Sequence, residues 1–211
     1  MSDARSEILS RVRDALADVD PAALPVESPP GAAPTDVLTR FAERVADYRA
    51  EVVRCSPDEV AARVADSLVE GSRVVVPPGL DVDVANAFVD EGLSAAELDR
   101  VDAVVTACRL GIAETGTIVL DHEADQGRRA ITLVPDRHIC VVRAEQVVAD
   151  VPDAMPRLDP GRPLTWISGP SATSDIELER VEGVHGPRTL IVVLVDGNQS
   201  TSTSVGDRDG S

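Results

Sequence analysis

The feature that most constrains the fold is a series of short runs in which apolar, mostly β-branched residues follow one another without alternation. Arg73-Val74-Val75-Val76, Ala103-Val104-Val105-Thr106, Thr117-Ile118-Val119-Leu120, Ala130-Ile131-Thr132-Leu133, His138-Ile139-Cys140-Val141-Val142 and Thr189 to Val195 are of this kind, with Leu164-Thr165-Trp166-Ile167-Ser168 a looser example. Strands that are apolar on successive residues are covered on both faces, so layers must lie outside the sheet. Helical patterns supply them. Val37, Leu38, Phe41, Val45 and Tyr48 share one helix face. Ser56-Pro57-Asp58-Glu59 is a helix start, with Ser as N-cap, Pro in the first turn and acids at the positive end of the dipole. That helix should run to about Glu70 and stop at Gly71. Val82 to Val89 reads as a further helix, and Asp125-Gln126-Gly127 as a hairpin turn between middle strands. The expected fold is a layered α/β domain with a mixed sheet flanked by helices.

Both ends differ in character from this domain. Ser6 to Val19 places Ile8, Leu9, Val12, Leu16 and Val19 at helical spacing. Pro21, Pro25, Pro29, Pro30 and Pro34 then make a stretch that no helix crosses. The segment from Asp196 is Gly, Asn, Ser, Thr and Asp without apolar periodicity and is expected to be disordered. The expected organisation is an N-terminal helix over 1–20, a Pro-rich linker over 21–34, an α/β domain over 35–195 and a polar tail over 196–211.

Charge narrows the function. The 211 residues carry a net charge of -17, all 20 basic residues are Arg, and aromatics are 2% of the chain. Such a chain lacks the basic face and the stacking platforms of nucleic-acid binders. No apolar run reaches the about 18–20 residues of a membrane span, and Met1-Ser2-Asp3-Ala4 opens no signal peptide, so a cytoplasmic location is expected. The acidity fits either a coding bias or a shell adapted to high salt. Without Lys, Schiff-base chemistry is closed to this chain.

Cys55, Cys108 and Cys140 are scattered and form no CxxC pair, so disulfides, structural zinc and a self-contained iron–sulfur cluster are not expected. His122, His138 and His185 have no metal-ligand spacing, and neither a metal nor a cofactor is assigned to the chain. Three clusters remain. In Gly111-Ile112-Ala113-Glu114-Thr115-Gly116-Thr117, small residues let backbone approach a ligand, Thr115 and Thr117 offer hydroxyls, and Glu114 is a candidate acid, base or nucleophile if burial raises its pKa. A tight turn with a solvated Glu explains the same residues. In Ser168-Gly169-Pro170-Ser171-Ala172-Thr173-Ser174-Asp175-Ile176-Glu177, a hydroxyl-rich turn opens a short helix, which is an anion cradle or simply the Ser174–Glu177 capping box. In Glu182-Gly183-Val184-His185-Gly186-Pro187-Arg188, Arg188 can clamp a carboxylate or phosphate, while His185 either joins it or bonds a nearby carbonyl. A triad of Ser171, His185 and Asp175 lacks the G-x-S-x-G elbow that would hold its nucleophile.

Taken in order, Ala113-Glu114-Thr115-Gly116-Thr117, Leu133-Val134-Pro135-Asp136-Arg137-His138-Ile139, Gly169 to Glu177 and Gly183 to Arg188 resemble the successive signatures of the LUD domain of the lactate utilization protein C family. The resemblance spans about Thr35 to Val195. It implies a fold similar to the NagB/RpiA/CoA-transferase group and a place beside two iron–sulfur partner subunits that oxidise L-lactate to pyruvate. It also implies that Glu114, Thr115, Gly116, Thr117, Ser171, Thr173, Asp175, His185 and Arg188 line one pocket for a small anion, where Glu114 is the catalytic candidate by its own chemistry. The competing expectations are a stand-alone enzyme or binder of a small carboxylate, phosphate or CoA ester, and an interaction module whose loops serve folding alone.

Overall fold

The computed structural model of the chain describes residues 4–18, 36–173, 181–182 and 186–197. The chain divides into two compact units, Met1–Pro30 and Gly31–Ser211. In the first, helix α1 (Ala4–Ala15) carries a Glu7–Arg11 ion pair of 2.5 Å one turn apart, and its Ile8, Leu9 and Val12 are exposed. Val19, the Pro-rich stretch over 21–34 and residues 198–211 of the polar tail lie outside the described residues.

The second unit is built on a six-stranded, wholly parallel sheet. Its strands are β1 (Glu51–Cys55), β2 (Val74–Val76), β3 (Phe88–Val89), β4 (Ala103–Thr106), β7 (Arg137–Arg143) and β12 (Thr189–Val195), ordered β1-β12-β7-β4-β2-β3. β7 and β12 pair along their full lengths, from Arg137 opposite Thr189 to Arg143 opposite Val195. Side chains alternate between faces, so each strand serves two cores. Cys140, Val142, Leu190, Val192 and Leu194 pack with Phe41 and Val45 of helix α2 (Val37–Asp47). Ile139, Val141, Ile191 and Val193 pack with Val60 and Val64 of helix α3 (Val60–Asp66) on the other side. Alternation puts His138 on the α2 side, two residues before Cys140.

A second, mixed sheet has the order β8-β5-β6-β9. β5 (Leu110–Ile112) and β6 (Thr117–Leu120) are a hairpin closed by Ala113–Gly116. β9 (Thr165–Ile167) runs antiparallel to β6, and β8 (Val147–Val148) parallel to β5. Short helices α4 (Ala95–Leu98) and α5 (Val151–Ala154) fill the connections, and β10 (Ala172–Thr173) pairs antiparallel with β11 (Val181–Glu182). The molecule is α/β, with one parallel and one mixed sheet flanked by helices.

Local chemistry explains most element boundaries. Asp36 caps α2 by accepting from the Leu38 and Thr39 amides, each at 3.1 Å. Glu59 accepts from the Ser56 amide at 3.1 Å and hydroxyl at 2.7 Å, and this start leads into α3, which ends at Asp66 with Gly71 in the left-handed region five residues on. Other local expectations need correction. Val82 to Val89 forms no helix: Asn86 turns at φ 58 and Phe88–Val89 joins the sheet edge as β3 beside β2. Arg129–Thr132 is a short 3-10 turn rather than a strand, because Ile131 drops into the cluster of Val75, Leu98 and Val104. Asp125-Gln126-Gly127 closes no hairpin. That segment covers the carboxyl ends of β2 and β4, where Gly79 N–H donates to Ala124 O at 2.9 Å and Ala107 N–H to Asp125 O at 3.0 Å.

Helix α2 and its C-cap residue Tyr48 are seated on three glycines, two from the β5–β6 hairpin and one from the loop after β9. A Cβ on Gly111 would stand 2.9 Å from the Phe41 ring, on Gly116 2.6 Å from the Arg44 backbone, and on Gly169 2.7 Å from Cβ of Tyr48. Positions 41, 44 and 48 form one helical stripe, and only a missing side chain opposite each lets the helix lie this close.

Candidate functional site

A cavity of about 290 Å³ opens at the amino ends of β7 and β12, against β9 and the loop that follows it. Its floor is His138, Thr132 and Leu190, all buried. Thr165, Trp166 and Ile167 form one wall, Ser168 to Ser171 and Gly186-Pro187 another, and Arg129 stands at the exposed rim. The two loops are tied by the Ser171 amide donating to Pro187 O at 2.8 Å. Gly169 takes φ +81 at the point where its loop presses on Tyr48.

The polar groups are held from behind. Hydroxyls of Thr115, Thr117 and Ser168 form a chain, 2.7 Å and 2.8 Å long in its two links, that leads from the β5–β6 turn to the cavity wall. His122 Nδ1–H donates to Gly127 O at 2.9 Å, and its Nε2 shares a hydrogen bond of 2.9 Å with the Thr165 hydroxyl. His138 Nε2 lies 2.8 Å from Thr106 Oγ1. The residue is only 1% exposed, and burial pushes its pKa from the usual 6.5 to about 4, so the imidazole is neutral across ordinary pH.

Among the described residues, no Asp or Glu lines this cavity and no carboxylate pairs with Arg129. Most other arginines of the domain are bound to acids. Arg40 grips Glu114 at 3.0 Å, Arg128 grips Asp90 at 2.6 Å and Arg162 grips Glu123 at 2.6 Å. A cation left open beside hydroxyls, a neutral imidazole and apolar walls is the chemistry of a small-anion site.

The structure sorts the residues singled out in the sequence. Ser171 lines the cavity. Thr115 and Thr117 stand behind it through the hydroxyl chain, and Gly116 at φ +59 packs the turn against α2. Glu114 lies elsewhere: it is held by Arg40 and, at 3.5 Å, by Arg44. The Arg40 guanidinium keeps its carboxyl below the usual carboxylate range, opposite to the rise that acid catalysis would need. Arg188 is outside the cavity lining and forms a two-pronged pair with Asp136 at 2.6 Å and 2.8 Å. Thr173 contributes its backbone to the β10–β11 ladder. Asp175, His185 and the Ser174–Glu177 capping box lie outside the described residues. Among the described residues no three His, Cys, Asp or Glu side chains converge as metal ligands, and no helix is long and apolar enough to cross a membrane.

Sequence reasoning misses Arg129, Thr165 and His138. Arg129 follows another Arg in a segment that reads as a strand, and nothing linear marks the one without an acid. His138 does carry a signal, a lone polar side chain on a strand otherwise apolar as far as Val142.

Comparison with known proteins agrees with this architecture. Residues 86–195 match the family model described as LUD domain. Lactate utilization protein C of Deinococcus radiodurans is 46% identical over 204 residues, covering 92% of this chain and 96% of that one. Lactate utilization protein C of Macrococcus caseolyticus is 34% identical over 131 residues, 56% of each chain. A crystal structure of a DUF162 family protein from Deinococcus radiodurans superposes with a TM-score of 0.65 at 45% identity, over 76% of this chain and 96% of that one. With a family model over more than half of its length and a relative matched almost end to end, the chain belongs to the LUD domain family that includes lactate utilization protein C.

Proposed function

We propose that this chain acts in lactate utilization as a subunit without an iron–sulfur cluster, and that the cavity at the amino ends of β7 and β12 binds a small monocarboxylate. The observation that carries the reading is Arg129, a rim cation above hydroxyl and imidazole groups, with neither an acid partner nor a carboxylate in the cavity lining among the described residues. The names of the relatives supply the setting. In the bound state Arg129 holds the carboxylate, the hydroxyls of Ser168 and Ser171 meet the remaining polar atoms, and Trp166 and Ile167 cover the alkyl part. A volume of about 290 Å³ suits a three- or four-carbon acid better than a CoA ester. Cys55, Cys108 and Cys140 are all buried and dispersed along the sequence, so electron transfer falls to iron–sulfur partner subunits.

Calorimetric titration with L-lactate, pyruvate, inorganic phosphate and CoA tests the site. The expected result is binding of the monocarboxylates, weakened by about tenfold or more in Arg129→Gln and unchanged in Arg188→Gln. Absence of carboxylate binding, or equal affinity in Arg129→Gln, overturns the assignment. The assembly is tested separately by affinity purification from lactate-grown cells, where two iron–sulfur proteins should accompany the chain. Recovery of the chain without them under gentle lysis rejects that role.

A further inference from the structure

Arg128 and Arg129 are neighbours in the chain with opposite surroundings. Arg129 stands at the cavity rim, whereas Arg128 is bound by a carboxylate 38 residues away. Arg128 Nε and Nη2 donate to the two oxygens of Asp90 at 2.6 Å and 2.9 Å, and Nη2 also donates to Leu93 O. The Asp90 side chain is 5% exposed. Its Oδ1 accepts from the Gly92 and Leu93 amides at 3.2 Å and 3.1 Å, and its own amide donates to Val76 O at the end of β2. The Arg128 fork keeps the Asp90 carboxyl below the usual carboxylate range, so it stays charged and holds the guanidinium. The turn that carries Arg129 is fixed from its other residues as well. Gly127 O receives the His122 bond, and a Cβ on Gly127 would stand 2.6 Å from Ile131 Cδ1. Ile131 is fully buried with Val75, Leu98 and Val104. Within the turn the Thr132 hydroxyl donates to Arg129 O at 3.1 Å. The backbone at 129 is therefore held on both sides, while no acid among the described residues holds its side chain.

We infer that Asp90 and Arg128 are positioning residues for Arg129: their ion pair fixes the backbone from which the rim guanidinium reaches the ligand. The inference rests on the cavity being a monocarboxylate site. An arginine side chain without an acid partner samples several rotamers, and ordering it on a ligand costs affinity. With the backbone already fixed, that cost is confined to the side chain. Once residue 128 is released, the backbone at 129 has to be ordered in the same step, and the guanidinium meets the carboxylate from a less defined place. The two-pronged geometry matters, because a lysine at 128 offers a point charge and cannot grip both oxygens of Asp90. The Arg128 side chain is 40% exposed, and ion pairs open to water contribute modestly to global stability, so the consequence expected here is local. Neither Asp90 nor Arg128 lines the cavity, and in this scheme neither touches the ligand.

The test is a double-mutant cycle read by calorimetry on the full chain, with L-lactate and pyruvate as probes. Asp90→Asn keeps an oxygen for the Gly92 and Leu93 amides and removes the charge that holds Arg128. Arg128→Lys keeps a charge and loses the fork. Each should weaken lactate and pyruvate by the same factor, about fivefold or more, because the contact served is with the carboxylate that both acids share. Combined with Arg129→Gln, either change should alter the remaining affinity by less than about twofold. Unchanged affinity in the single variants overturns the inference and leaves the monocarboxylate site standing. So does a loss that is undiminished in the Arg129→Gln background, which would make the pair a support of the fold rather than of Arg129. If the unaltered chain binds neither acid, the site and the inference fall together. Should Asp90→Asn fail to fold, Arg128→Lys, altered at a partly exposed side chain, answers the same question.

Discussion

His138 shows how a single buried residue ties function to stability. In the folded chain it stays neutral down to about pH 4, whereas unfolded it takes up a proton near 6.5. Below pH 6.5 the unfolded state therefore binds more protons, and stability falls as pH drops from 6.5 toward 4. Above 6.5 this residue contributes no slope. The full effect is about 3 kcal/mol, measurable as the difference between the pH profiles of urea unfolding for the unaltered chain and His138→Asn. Gly116 makes a different demand. At φ +59 with the Arg44 backbone 2.6 Å from any Cβ, Gly116→Ala should cost more than about 1–2 kcal/mol, and a loss under 0.5 kcal/mol in denaturant titration would contradict the close contact with α2. Residues of the site differ in how far the sequence exposes them. Ser171 and Thr117 stand in stretches rich in glycine and hydroxyls, which mark turns near ligands. The standing of Arg129 depends on the absence of an acid nearby in space, and Glu114 is set aside because Arg40 approaches it from 74 residues away.

Among the elements, the clearest in the sequence are those buried on both faces. Thr189–Val195 and Ala103–Thr106 lie inside the sheet and read as unbroken apolar runs. β1 is hidden because it is an edge strand whose Glu51 and Arg54 face solvent, and β5 because its middle residue is Gly111, which yields to the Phe41 ring. The Val82 to Val89 segment misleads because its apolar spacing fits a helix, while Asn86 at positive φ breaks one. Helix α2 joins the two sheets through Phe41, which is fully buried among residues of both. Phe41→Ala should cost about 3–5 kcal/mol; a shift below 1 kcal/mol in chemical unfolding would show that the helix is not the joint described. Element placement also explains where the cavity lies. Open parallel sheets commonly bind ligands at the carboxyl ends of their strands, but here the segment around Ala124 and Asp125 is hydrogen-bonded across the ends of β2 and β4. The cavity that Arg129 and His138 line lies instead at the amino ends of β7 and β12.

At the scale of the whole molecule, a net charge of -17 surrounds a cavity whose charged lining residue, among the described residues, is Arg129. The two act over different distances. The envelope repels an anion across a Debye length of about 30 Å at 10 mM salt and only about 8 Å at 150 mM, whereas the Arg129 contact, though at the exposed rim, acts well inside either length and loses less. Lactate affinity should therefore rise as sodium chloride increases from 10 to 150 mM, the reverse of ordinary ion-pair binding; a steady fall would mean that the envelope does not govern approach. The three glycines beneath α2 have a consequence of another kind. Because Gly169 belongs to the cavity loop while Gly111 and Gly116 belong to the β5–β6 hairpin, helix, hairpin and loop have no slack between them and should open to solvent as a single unit. A ligand that stills the loop should then slow amide hydrogen exchange along Phe41 to Tyr48, which makes a helix outside the cavity lining a reporter of occupancy.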